Sequence, residues 1–234
     1  MESQDKQEIF EVYTRRKVRA ANVWLHGMGV NAEDLNPILV NLRQSREIGL
    51  HYIAPNAPLR RITVDEGRPT RAWFDVRGEP GEAPLDQEGL DQSTHRIHDL
   101  LDRLIDNGRK ARHIILAGFS QGATLALHAG LRYPHTLAGI VVMSGELLFT
   151  DNLTEKVHPA SHQTPILMQH GENDRVVPIA DARASRDALQ AAGYSVDWDD
   201  YPIEHTVSPE EVERVDAWIH QRLTKALTGS GSSE

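Results

Sequence analysis

Cysteine is absent from the 234-residue sequence, which excludes disulfides, thiolate metal ligands and a cysteine nucleophile together. No stretch approaches the ~18 consecutive apolar residues of a membrane span, and residues 1–6 lack the apolar core of a secretory signal. Basic residues are outnumbered, with 25 Lys and Arg against 34 Asp and Glu, so the net charge is −9 and phosphate binding is disfavoured. These absences predict a protein without nucleic-acid partners or stable membrane insertion, with the cytoplasm as its default location.

The remaining composition is that of a globular chain with a core, since 39% of the residues are hydrophobic and 25% are charged. We expect one domain over residues 1–228, followed by a flexible tail of Gly and Ser at residues 229–234. Strand-like and helix-like segments alternate, which predicts an α/β fold with a mostly parallel central sheet and helices on both faces. The predicted strands are Ile9–Tyr13, Ala20–Leu25, His51–Ala54, His113–Ala117, Leu137–Met143, Ile166–Gln169 and Ser195–Tyr201.

Amphipathic helices and two irregular connections complete the predicted layout. Apolar residues recur at helical spacing in residues 97–105 and 212–226, and Ser208 supplies an N-cap signal for the second of these helices. The irregular connections, about residues 55–89 and 146–164, are long for an α/β sheet. We expect them to shape a pocket above the strand ends, without a large lid domain.

The segment 118–122, with the sequence GFSQG, carries the strongest local signal for catalysis. An apolar run, Ile114–Ala117, precedes it and a helical run, Ala123–Leu131, follows it, so Ser120 would lie on a sharp turn between strand and helix. Such a turn strains the serine backbone, and its glycine neighbours avoid the clashes that larger side chains would make. N–H groups at the start of the helix would stabilise a developing oxyanion. This pattern predicts Ser120 as the nucleophile of an α/β-hydrolase.

A serine nucleophile needs a base and an acid that orients the base. In an α/β-hydrolase the three residues follow the chain order Ser, acid, His. Asp174 lies in a short loop directly after the predicted strand Ile166–Gln169, which favours it over Glu172 and Asp181 as the acid.

Seven histidines follow Ser120 in the sequence, and their positions separate them. His205 lies between a predicted strand and a capped helix, where the base of this fold is expected. His170 precedes the candidate acid and is expected to make a structural hydrogen bond. His128 would lie in the helix behind the serine, and His220 on the polar face of the last helix. The sequence therefore predicts His205 as the base.

Six motifs in a fixed order extend this interpretation. Similar motifs occur in the phospholipase/carboxylesterase family of α/β-hydrolases, which includes bacterial carboxylesterases and acyl-protein thioesterases. This chain resembles that family from residue 24 to about residue 211. The motifs that carry the resemblance are Leu25–Gly29 (LHGMG), Ala54–Pro58 (APNAP), Trp73–Asp75 (WFD), Gly118–Gly122 (GFSQG), His170–Asp174 (HGEND) and His205–Val207 (HTV).

The resemblance implies the same three catalytic residues, together with an oxyanion hole formed by the backbone N–H groups of Leu25 and Gln121. Glu204 stands where the family usually has Gly. A bulky acid beside the base could shift the pKa of His205, narrow the pocket or favour a cationic substrate. Apolar side chains are expected to line an acyl pocket: Trp73, Phe74, Leu147, Leu148 and Phe149.

The activity implied is cleavage of carboxylic esters with short to medium acyl chains, through an acyl-enzyme intermediate. Thioesters, including those of acylated proteins, are further candidate substrates because the same tetrahedral chemistry serves both. The sequence supplies no metal ligand set and no nucleotide cradle, so we expect neither a metal nor a cofactor. A monomer and a homodimer are both compatible with it.

Three other functions are weighed against this one. Residues 27–32, GMGVNA, match a dinucleotide fingerprint, but the next predicted strand ends in residues 53–56 without the acid that would hold a ribose. His158 and His162 have the spacing of metal ligands on a helix, but Pro159 argues against such a helix. A hydrolase fold can also serve as a receptor or binding module without catalysis. A complete catalytic triad argues against that reading.

Overall fold

A computed structural model describes residues 8–78, 84–148 and 153–229. Its nine strands are β1 Ile9–Tyr13, β2 Ala20–Leu25, β3 Leu50–Pro55, β4 Leu59–Ile62, β5 Arg68–Arg71, β6 Ile114–Phe119, β7 Gly139–Met143, β8 Ile166–Gly171 and β9 Val196–Tyr201. Seven of them form one sheet in the order β1-β3-β2-β6-β7-β8-β9. Only β1 runs antiparallel to its neighbour, so the sheet is mostly parallel as predicted.

The strands of this sheet are the seven predicted from sequence, with ends shifted by two residues at most. Every residue of β2, β3, β7 and β8 is buried, and so are the first five residues of β6. Strands covered on both faces appear in the sequence as short continuous apolar runs, which is why they could be located.

The connection predicted as irregular over residues 55–89 contains regular structure. Strands β4 and β5 form an antiparallel hairpin, with Leu59 opposite Arg71 and Ile62 opposite Arg68. The expectation of an irregular segment is wrong here, because each strand has only four residues, two of them arginine, and β5 contains Pro69. Neither feature indicates a strand to pattern-based reasoning.

Helices cover both faces of the sheet, which confirms the predicted α/β-hydrolase architecture. Trp218 and Ile219 of the last helix pack on one face with the first two short helices, while Leu101 and Leu125 pack on the other. The helices are α1 Asn36–Leu39, α2 Arg43–Arg46, α3 Gln87–Asp106, α4 Gln121–Arg132, α5 Leu153–Lys156, α6 Ile179–Ala191 and α7 Pro209–Thr228.

The parallel arrangement determines where a site can form. Six strands run in the same direction, so the loops after β2, β6, β7, β8 and β9 meet at one edge of the sheet. These loops carry the predicted nucleophile, acid and base. Within the described residues, no helix combines the length and the apolarity needed to cross a bilayer.

Candidate active site

Ser120 lies between β6 and α4 in a backbone conformation that non-glycine residues rarely adopt, with φ 56° and ψ −126°. Its N–H donates to the carbonyl of Met143 at 2.9 Å, which ties the turn to the neighbouring strand. Both flanking glycines are required by packing. A Cβ on Gly118 would overlap the backbone of Gly122, and a Cβ on Gly122 would overlap the carbonyl of Leu25.

The structure brings the three predicted residues into one hydrogen-bonded chain. His205 Nε2 lies 2.8 Å from Ser120 Oγ, and His205 Nδ1 lies 2.6 Å from Asp174 Oδ2. A carboxylate can only accept, so Nδ1 carries the proton and donates to it. The lone pair of Nε2 then faces the serine hydroxyl, which is the tautomer that a general base needs.

Asp174 is held in place by its own loop. Its Oδ1 accepts hydrogen bonds from the N–H groups of Val176 at 2.8 Å and Val177 at 2.9 Å, which leaves Oδ2 for His205. His170 donates from Nε2 to the carbonyl of Val177 at 2.8 Å, so it makes the structural hydrogen bond that the sequence predicts. Burial lowers the pKa of His170, which favours this neutral form.

His205 is half-buried in the loop between β9 and α7. The ring of Phe119 lies beside it, with 5.0 Å between the ring centroids. The other weighed histidines lie elsewhere: His128 is buried in α4, and His220 of α7 contacts the carbonyl of Gln44 at 3.1 Å.

The two predicted oxyanion donors, the N–H groups of Gln121 and Leu25, lie in different environments. Gln121 is the first residue of α4, where a backbone N–H has no acceptor within the helix. Leu25 is fully buried at the end of β2, where it pairs with Gly118 of β6, and this burial disfavours its N–H as a donor to a substrate. The assignment of Leu25 stays a prediction. Met28, three residues further on, is 38% exposed, and its N–H donates to no acceptor within the described residues.

The residues predicted to line the acyl pocket differ in exposure. Trp73 is fully buried and exposes no surface to a substrate, which disfavours it as part of the pocket wall. Phe74 and Leu147 are each 6% exposed, and Leu148 is half-buried. The other two residues with predicted roles are Phe149, which lies outside the described residues, and Glu204, which is exposed next to His205.

Sequence reasoning missed a hydrogen-bond network that connects Gln121 to the loop after β2. The side chain of Gln121 binds the backbone of Trp73 and Phe74, and the indole of Trp73 binds the carbonyl of His26. The motifs containing these residues were visible in the sequence. Their contacts were not, because the partners are 47 or 48 residues apart.

Comparison with known proteins agrees with this geometry. The sequence model of the phospholipase/carboxylesterase family matches residues 7–223. The chain belongs to this family. Its membership confirms the resemblance found in the motifs, and makes the chain an α/β-hydrolase enzyme of the carboxylesterase and acyl-protein thioesterase type.

Relatives in this family are similar over most of their length. Carboxylesterase SOBER1 of Arabidopsis thaliana is 31% identical over 204 residues, which cover 86% of this chain and 90% of the relative. Acyl-protein thioesterase 1 of Gibberella zeae is 33% identical, covering 87% and 91%. The crystal structure of SOBER1 superimposes with a TM-score of 0.83 over 88% of this chain and 100% of that one, at 31% identity. Acyl-protein thioesterase 2 of Zea mays gives a TM-score of 0.82 at 31% identity, over 93% and 99%.

Proposed function

We propose that this hydrolase cleaves carboxylic esters and thioesters through an acyl-enzyme on Ser120. The observation that carries the proposal is the hydrogen-bonded chain from Ser120 Oγ through His205 to Asp174, at 2.8 and 2.6 Å. Those distances are within the range needed for proton transfer between a nucleophile and its base. Fold alone would not support a function, whereas this arrangement of side chains does.

The reaction begins when His205 Nε2 takes the proton of Ser120 as Oγ attacks the substrate carbonyl carbon. The carbonyl oxygen becomes an oxyanion, which the backbone N–H groups of Gln121 and Met28 stabilise. His205 then protonates the departing alcohol or thiol, leaving the acyl group on Ser120. Water, deprotonated by His205, attacks the acyl-enzyme; the carboxylic acid leaves and Ser120 recovers its proton. Asp174 stabilises the imidazolium that forms in each half of the reaction.

The substrate range follows from the relatives and from the predicted pocket. Both carboxylesterases and acyl-protein thioesterases are among the similar proteins, so we include thioesters and acylated proteins as substrates. In the predicted apolar wall, Phe74 and Leu147 are each only 6% exposed, which favours short to medium acyl chains over long ones.

Replacing Ser120 with Ala tests the proposal. We expect turnover of p-nitrophenyl butyrate to fall by about 10⁶, with only the residual catalysis of binding and the oxyanion hole remaining. A fluorophosphonate probe should label the wild-type protein at Ser120 and leave Ser120→Ala unlabelled. Ser144→Ala is the matched control, since Ser144 also has a positive φ at a strand end but does not contact His205. Hydrolysis by folded Ser120→Ala at the wild-type rate, or probe labelling at another residue, would refute the mechanism.

A further inference from the structure

The side chain of Gln121 joins the nucleophile turn to a distant segment. Its Oε1 accepts from the N–H of Trp73 at 2.8 Å, and its Nε2 donates to the carbonyl of Phe74 at 2.8 Å. Gln121 is only 8% exposed, so these bonds form away from bulk water. The side-chain amide of Gln121 therefore binds the backbone of residues 73 and 74 through one accepted and one donated hydrogen bond, as a neighbouring strand would.

Trp73 carries this connection to the loop after β2. Its indole Nε1 donates to the carbonyl oxygen of His26 at 2.8 Å, and the ring is fully buried. A carbonyl and the N–H of the next residue belong to one rigid planar unit. The indole therefore fixes the plane of the peptide bond between His26 and Gly27.

His26 fixes the following peptide in the same loop. Its Nε2 lies 3.0 Å from the N–H of Ala57, and its Nδ1 lies 2.7 Å from the carbonyl of Gly27. An amide N–H only donates and a carbonyl only accepts, so the ring is neutral with its proton on Nδ1. Because burial lowers the pKa of His26, this form is favoured. The peptide held in this way contains the N–H of Met28, the second proposed oxyanion donor.

We infer that Trp73 is a positioning residue for the oxyanion hole. The backbone N–H of Gln121 is one oxyanion donor. The side chain of Gln121 holds Trp73, and Trp73 orients the loop that contains the other donor, the N–H of Met28. The inference rests on the proposed function, because it concerns the transition state of the same reaction. It also explains why Trp73 is buried beside the site instead of lining the pocket.

Trp73→Phe tests the inference, since it keeps most of the buried ring and removes the indole N–H. A small displacement of a catalytic donor can cost about 100-fold in rate, so we expect kcat for p-nitrophenyl butyrate to fall about 10- to 100-fold. KM should change by less than about twofold, because the lost interaction acts in the transition state. A trifluoromethyl ketone that adds to Ser120 should lose affinity by the same factor as kcat/KM, since its oxyanion occupies the same hole.

Trp24→Phe is the matched control. Trp24 is also fully buried, it belongs to the cluster on the other face of the sheet, and its indole N–H has no hydrogen-bond partner within the described residues. This variant should keep the wild-type kcat and ketone affinity, whatever its effect on urea unfolding. Equal losses of kcat in the two variants would show a general packing effect and overturn the inference.

Gln121→Met tests the same inference if Trp73→Phe does not fold. It keeps the backbone N–H and the shape of the side chain while removing both amide hydrogen bonds, and should give the same selective loss of kcat. If folded Gln121→Met keeps the wild-type kcat and ketone affinity while Ser120→Ala is inactive, the inference about Trp73 is overturned and the proposed function stands. Activity in Ser120→Ala would instead remove the proposed function on which the inference rests.

Discussion

The hydrogen bonds around Asp174 determine which of its two carboxylate oxygens accepts from His205. Its carboxylate has two oxygens, and the N–H groups of Val176 and Val177 both bind Oδ1. The other oxygen, Oδ2, is left to accept from His205 Nδ1 at 2.6 Å. This division fixes both the orientation and the tautomer of the imidazole. Glu172, two residues earlier, is exposed, and within the described residues its side chain forms no hydrogen bond or ion pair with Asp174 or His205.

Asp174→Asn should reverse that tautomer. The amide oxygen would keep the two backbone N–H bonds, so the NH₂ group would face Nδ1 and force the imidazole proton onto Nε2. A base protonated at Nε2 cannot accept the serine proton, and we expect kcat to fall by up to about 10⁴. Steady-state kinetics on a short p-nitrophenyl ester measures the loss, with Glu172→Gln as the control. Asp174→Asn with kcat close to that of Glu172→Gln would show that another group orients His205.

At the scale of one element, helix α7 links the candidate site to the core. It begins at Pro209, four residues after His205, and carries Val215 and Trp218 into the core on one face of the sheet. Ser208 and Glu211 form a complete capping box: Ser208 Oγ accepts from the N–H of Glu211 at 3.2 Å, and Glu211 Oε2 accepts from that of Ser208 at 2.8 Å. The sequence signal for this helix start is therefore confirmed.

Ser208→Ala should destabilise the protein without disabling catalysis. Loss of an N-cap side chain costs about 1 kcal/mol, which we expect as a lower free energy of unfolding in urea at an unchanged m-value. kcat should stay within about twofold, because the box lies outside the chain from Ser120 to Asp174 and the core residues of α7 still hold it. Ser208→Asp, which keeps a cap acceptor, should recover most of the stability. A loss in Ser208→Asp equal to that in Ser208→Ala would indicate that the hydroxyl does not act as a cap.

At the scale of the whole molecule, most of the fold was predictable from sequence, and so was the meeting of Ser120, Asp174 and His205 at one edge of the sheet. The buried strands and the turn at Ser120 depend on local patterns, namely continuous apolar runs and glycines at fixed spacing. The β4–β5 hairpin was missed because each strand has only four residues, two of them arginine, and β5 contains a proline. The roles proposed for Trp73 and Met28 could not be read from the sequence, because they depend on contacts between distant segments, such as the bond from the Trp73 indole to the His26 carbonyl. No periodicity encodes such a contact.

Buried histidines give the whole molecule a predictable response to acid. Burial is the largest cause that lowers the pKa of each of six histidines: His26, His51, His98, His113, His128 and His170. A lowered pKa means that the unfolded chain binds protons more readily than the folded one. The contribution of these histidines to stability is therefore retained above their unfolded pKa of about 6.5 and declines as the pH falls below that value.

His128 should account for a measurable part of that decline. It is 2% exposed, and burial, followed by the charge of Arg132, lowers its pKa to about 3. At pH 5 the unfolded histidine is protonated and the folded one is not, which costs about 2 kcal/mol of stability relative to pH 7. His128→Gln removes this titration, so its free energy of unfolding in urea should fall about 2 kcal/mol less than that of the wild type between pH 7 and pH 5. The control is His95→Gln, at an exposed histidine of α3, which should fall as far as the wild type does. If all three proteins lose the same free energy over this interval, His128 is not a source of the acid sensitivity.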